Sequence, residues 1–168
     1  LLDDSTLYSS VMSSNGACTQ PVDIGFLLDA SLSIEDPRPI HGATGIPGNF
    51  EKKVLTFVTA ITSSFNVGQA AKQTRIGVAS FSDEPTIHFD FDDMENAKSA
   101  TAAVDAIPYL YGMTHTSTAL AKVRTELFVE SGGVRPKADG VPRVLIVVTD
   151  GKANQGFDPT AEAQLLHD

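Results

Sequence analysis

The sequence predicts an α/β domain built on a mostly parallel sheet, and three observations carry that prediction. Apolar, β-branched runs alternate along the chain with segments whose apolar residues recur at helical spacing. Two of the runs, "IGFLL" and "VLIVV", are apolar almost without interruption, as expected of parallel strands buried on both faces. Two others are joined by "SDEP", a link too short for a parallel crossover, so they form an antiparallel hairpin at one edge. The architecture expected is a doubly wound sheet with helices on both faces and one antiparallel edge strand.

Each element has its own justification. Residues 1–17, "LLDDSTLYSSVMSSNGA", are serine-rich without a sustained period and read as a flexible linker ahead of one domain covering 18–168. Strands are expected at about Asp23 to Asp29, Thr74 to Ser82, Thr86 to Phe91 and Arg143 to Thr149, each bounded by turn residues. A helix from about Phe50 to Ser63 gathers Phe50, Val54, Phe57, Val58 and Ile61 on one face. Another, from about Ser117 to Glu130, gathers Leu120, Val123, Leu127 and Phe128. A shorter helix covers about Glu95 to Ile107, and a last one begins at Pro159. Thr116 and Ser117 read as helix caps. No repeat of 20 to 50 residues is visible.

Composition narrows the partners. The 168 residues are 42% hydrophobic, enough for a sizeable core, and carry a formal charge of -9 with no basic stripe to reverse it locally. Such a surface repels phosphate backbones and anionic lipid, so nucleic acid is not expected as a partner. No apolar run reaches the length of a membrane span, and no signal segment or N-x-S/T sequon is present. The single cysteine, Cys18, is either half of a bridge to a cysteine elsewhere or a lone thiol.

Oxygen-bearing side chains collect where two strands end. In an open α/β sheet the ligand site lies outside the carboxyl ends of the strands, where the winding reverses. The first strand ends in Asp29, within "LLDASLS", and the last in Asp150, within "VVTDGK". Ser31 and Ser33 add hydroxyls as the chain leaves the sheet, and "GMTHTST" supplies Thr114 after the loosening Gly112. Asp29, Ser31, Ser33, Thr114 and Asp150 make an all-oxygen set suited to a hard divalent cation, Mg²⁺ or else Mn²⁺ or Ca²⁺. Two carboxylates neutralise the ion and leave it able to accept one more anionic oxygen. His41, His88, His115 and His167 share no spacing and read as non-ligands; Arg135, Lys137 and Arg143 read as a solvated basic loop.

"DASLS" after an apolar strand, "GMTHTSTALAKVRTELF" opening a helix and "VLIVVTDGK" ending a later strand together resemble the von Willebrand factor A domain family, including the inserted domains of integrin α chains. The resemblance covers about Pro21 to the end. It implies a Rossmann-like fold and matches the five residues above to a metal-ion-dependent adhesion site. In such sites the serines and threonine hold the ion directly, with one or both aspartates acting through water. It further implies an extracellular, non-enzymatic adhesion module that binds collagen or another matrix protein through an acidic side chain of the partner, and it favours a bridged Cys18.

Three departures accompany the resemblance. Leu32 stands where glycine is common, and "EDPRPIHGATGIPG" precedes Asn49 and Phe50, a loop that either shapes partner choice or is an inert spacer. Family members also continue with two more strands and a helix or two beyond "DPTAEAQLLHD". Without them the strand ending in Asp150 is an exposed sheet edge, so further polypeptide is expected to pair there. A Mg²⁺-dependent phosphatase-like hydrolase is the alternative, but its D-x-D pattern meets Ser31 at the second position, which removes the general acid and base. The chain shows no G-x-S-x-G, no P-loop and no nucleophile paired with a base. A metal-free structural matrix domain is the third reading.

Overall fold

A computed structural model describes residues 20–35, 48–151 and 158–167. The 1–17 arm, Cys18, His41 and all but the ends of the 35–48 loop lie outside them. The element order is β1 (Asp23–Asp29), α1 (Thr56–Ser63, entered through a π-helical stretch Phe50–Leu55), β2 (Arg75–Phe81), β3 (Pro85–Phe89), α2 (Ala97–Asp105), α3 (Thr116–Lys122, continuing as π-helix Val123–Leu127), β4 (Arg143–Val148) and α4 (Thr160–His167). The strands form one sheet in the order β3-β2-β1-β4. β1 pairs parallel with β2, Asp23 opposite Arg75, and parallel with β4, Asp23 opposite Arg143. β2 and β3 form the expected antiparallel hairpin.

Period-two alternation along β1 divides the core. Ile24, Phe26 and Leu28 face one layer with Phe50, Val54, Leu55 and Val58 of the first helix and Ala100 and Val104 of α2. Leu27 faces the other, with Ala119, Leu120, Val123 and Leu127 of α3. Helices therefore cover both faces. The chain goes from β1 to β2 on one side, then returns past β1 to β4 on the other. The winding reverses between β1 and β4, which is where such sheets place their sites.

Three expectations about packing are corrected. Phe57 is 45% exposed, and Leu55 takes its place in the core at 3%. The π-helical entry explains this: bonding over five residues puts Leu55, not Phe57, in line with Phe50. The helix expected to reach Glu130 stops at Leu127. Phe128 turns out of it and meets Phe91 edge to face, ring centroids 5.1 Å apart. Finally, all seven residues of β1 are buried, but none in β4 is. Its one sheet partner among the described residues is β1, so Val144 and Val147 stand about 40% exposed.

The helix caps are also distributed differently. α2 has a capping box in which Asn96 Oδ1 accepts from the Ser99 amide at 3.0 Å and Ser99 Oγ accepts from the Asn96 amide. On α3 the N-cap position falls to His115 without a side-chain bond, so neither Thr116 nor Ser117 caps it.

One cross-strand pair overturns the expectation that no nucleophile meets a base. Ser80 Oγ of β2 lies 2.7 Å from Nε2 of His88 of β3. Ser80 is fully buried, so the bond satisfies an interior hydroxyl rather than presenting a nucleophile. Burial holds the His88 imidazole below its ordinary 6.5. The folded chain thus refuses a proton that the unfolded chain accepts once the pH drops under that value. Stability is expected to be full above it and to decline as pH falls toward the lowered folded pKa. Denaturant titrations at about pH 7.5 and about pH 5.5 check this: the difference should shrink in His88→Gln, and an equal difference in both proteins would refute it.

Candidate metal site

The five predicted site residues meet at the carboxyl end of the sheet. Asp29, the last residue of β1, is fully buried, and its oxygens accept from the Ser31 amide at 2.9 Å and the Thr149 hydroxyl at 2.7 Å. After Ala30, whose amide is held by the Phe81 carbonyl, the chain enters a 3₁₀ turn at Leu32–Ile34 that swings Ser31 and Ser33 toward the same point. Thr114, 2% exposed, reaches in from the loop before α3 and donates to Ser31 Oγ at 3.1 Å. Ser31 Oγ lies 3.1 Å from Ser33 Oγ, which donates to Asp150 Oδ1 at 2.9 Å. One continuous chain of oxygens runs from Thr114 to Asp150.

Local backbone geometry makes this convergence possible. The Leu32 amide donates to the Gly112 carbonyl at 2.9 Å, which ties the first loop to the second. Gly112 has φ +91°, open to glycine, and the Asp83 carboxylate both crowds it and accepts from the Met113 amide at 2.9 Å. Tyr109 donates its phenol proton to the carbonyls of Ser31, at 2.9 Å, and Leu32, at 3.2 Å. Thr149, Tyr109 and Asp83 were missed from the sequence. Thr149 sits in the quoted "VVTDGK" next to Asp150, whereas Tyr109 and Asp83 carry no local signal.

The surroundings of Asp29 disfavour its charge. Burial raises the Asp29 carboxyl above its ordinary 3.8; hydrogen bonds from Ser31 and Thr149 oppose this, and the Asp150 charge pushes the same way as burial. Among the described residues Asp29 has no ion-pair partner. Nor, among these described residues, is any group of three or more His, Cys, Asp or Glu placed to hold a metal, so hydroxyls would have to complete a shell. The spacing permits it. An octahedral ion with oxygens near 2.1 Å holds neighbouring oxygens about 3.0 Å apart. The three links from Thr114 to Asp150, at 3.1, 3.1 and 2.9 Å, have that edge length.

With strand order, switch point and site geometry in hand, comparison with known proteins decides the family. The model of the von Willebrand factor type A domain matches residues 23–168. The chain belongs to that family. As an A domain it is 35% identical over 150 residues to mouse integrin alpha-X, across 86% of this chain and 11% of that protein. It is 31% identical over 162 residues to human collagen alpha-1(XXI) chain, across 94% and 15%. Among solved structures it is similar to proximal thread matrix protein 1 from the mussel byssus with a zinc-occupied MIDAS motif. That match has a TM-score of 0.70 and 28% identity, over 90% of this chain and 34% of that one. The A domain thus spans a minor part of each of these proteins, which are adhesion and matrix proteins by their names. No helix among the described residues is long and apolar enough to cross a membrane.

Proposed function

We propose that this A domain is a divalent-cation-dependent adhesion module of an extracellular matrix or cell-surface protein. Asp29, Ser31, Ser33, Thr114 and Asp150 hold one hard cation, Mg²⁺ or its substitutes Mn²⁺ and Ca²⁺. The single observation that carries the reading is the run of oxygens at shell-edge spacing from Thr114 to Asp150, beside the buried Asp29, with neither carboxylate answered by a cationic side chain among the described residues. The ion, when bound, supplies a Lewis-acidic position for one further anionic oxygen. The protein's own part is orientation. Asp29 fixes the Ser31 amide, the 3₁₀ turn aims two hydroxyls, and the loop from Gly112 delivers the third. Relatives named as collagens and integrin favour a matrix protein as the partner, collagen first, contacting the site through a glutamate or aspartate.

The test is adhesion to a collagen-coated surface, with and without chelator. Binding is expected with Mg²⁺ or Mn²⁺ present and at background with chelator, returning when the ion is restored. Adhesion unchanged by chelator would remove the cation from the account. Chelator-sensitive turnover of a phosphomonoester that disappears in Asp29→Ala would move the assignment to the hydrolase.

A further inference from the structure

We infer that Tyr109 is a positioning residue for the metal loop, setting how tightly the site grips its cation without touching the ion; this rests on the reading just proposed. The argument starts from the turn. Leu32–Ile34 is a single 3₁₀ turn, closed by the Ile34 amide on the Ser31 carbonyl and the Glu35 amide on the Leu32 carbonyl, both at 3.2 Å. Bonds of that length in so short a helix leave the peptide planes loosely held. Those planes decide where the hydroxyls of Ser31 and Ser33 point.

Tyr109 supplies what the turn lacks. Its phenol donates a shared hydrogen bond to the same two carbonyls, at 2.9 and 3.2 Å, across 78 and 77 residues of sequence. The ring has two aromatic neighbours. Phe50, fully buried, lies against it at a centroid distance of 5.5 Å, and Tyr111 at 4.2 Å. Tyr111 holds φ at +61°, the described chain's one positive φ outside glycine. A bulky residue keeps that conformation where surrounding contacts over-determine it, and here it starts the turn whose next residue, Gly112, accepts from the Leu32 amide. The serine loop is therefore clamped twice from one segment: by the Tyr109 phenol on its carbonyls and by the Gly112 carbonyl on its amide. Thr114 follows in that segment, so the clamp fixes the third hydroxyl relative to the first two.

Tyr109→Phe tests this, since it keeps the ring contacts with Phe50 and Tyr111 and removes only the donor. Free Mn²⁺ is titrated by electron paramagnetic resonance against wild type, Tyr109→Phe and Val104→Ala, a core substitution in α2, and the metal-free thermal midpoint of each is measured. The expected result is a dissociation constant raised about ten-fold in Tyr109→Phe, the scale found when an outer partner of a metal ligand is lost. Val104→Ala should lower the midpoint more and leave the constant unchanged. Wild-type affinity in Tyr109→Phe would overturn the positioning role and leave the metal reading intact, as would weakened binding in both variants in proportion to their lost stability. A wild-type chain that takes up no Mn²⁺ would overturn the metal reading and this inference with it.

Discussion

Replacing Asp150 with alanine is expected to weaken divalent-cation binding by about 100-fold or more, beyond the upper end of what the loss of even a supporting partner costs. The fold should be spared. Asp150 is exposed at the end of β4, and its hydrogen bond from Ser33 Oγ is a surface contact, so unfolding free energy is expected to stay within about 0.5 kcal/mol of wild type. Asp29→Ala is a less clean experiment. Its carboxylate satisfies a buried amide and a hydroxyl, and orphaning them costs about 1–3 kcal/mol, offset in part because a buried, unneutralised charge disappears. Calorimetric titration with Mn²⁺ and denaturant unfolding, on Asp150→Ala and wild type together, separate affinity from stability. Equal affinity in the two proteins would mean that no cation sits beside Asp150, and adhesion would need another explanation.

That experiment addresses a candidate site whose convergence is legible in the sequence because its geometry is topological. Once "IGFLL" and "VLIVV" are read as adjacent parallel strands, Asp29 and Asp150 must emerge on the same side, whatever the details of packing. Ser31, Ser33 and Thr114 follow from spacing along two loops. What the sequence hides is pairing between distant or unlike groups. Tyr109 reaches the serine loop from 78 residues away. The Ser80–His88 bond depends on hairpin register, which a β-bulge between Val78 and Ala79 shifts. Phe57 lies outside the core because the helix starts with a π-helical stretch, a deviation that periodic patterns do not announce. In each case local propensity is compatible with several arrangements, and long-range contacts choose among them.

Arg135 is the clearest instance, and it leads to the largest stability effect expected here. Read as part of a solvated basic loop, it is instead 5% exposed, whereas Lys137 two residues on is exposed as anticipated. Its partner is Asp23, the first residue of β1 and fully buried, 112 residues earlier. The guanidinium meets Asp23 Oδ1 at 2.6 Å and the Arg135 amide meets Oδ2 at 2.8 Å, so both carboxylate oxygens are used. A second guanidinium nitrogen donates to the Gln73 carbonyl, and Arg143 donates to the carbonyl of Arg135 itself. Burial and the neighbouring Arg75 push the Arg135 pKa down while Asp23 and, less strongly, Asp139 hold it up, as expected of a charge kept indoors by nearby carboxylates. Arg135→Met should then cost about 3–5 kcal/mol, because it strands the Asp23 charge in a dry position. Adding Asp23→Asn should recover most of that loss, since the amide oxygen still accepts from the residue-135 backbone and no charge is left to bury. Urea unfolding of the two single variants and the double variant closes the cycle. A single-variant cost under about 1 kcal/mol would match an exposed pair and return Arg135 to the surface. A large cost that Asp23→Asn fails to relieve would place the energy in the carbonyl contacts to Gln73 instead.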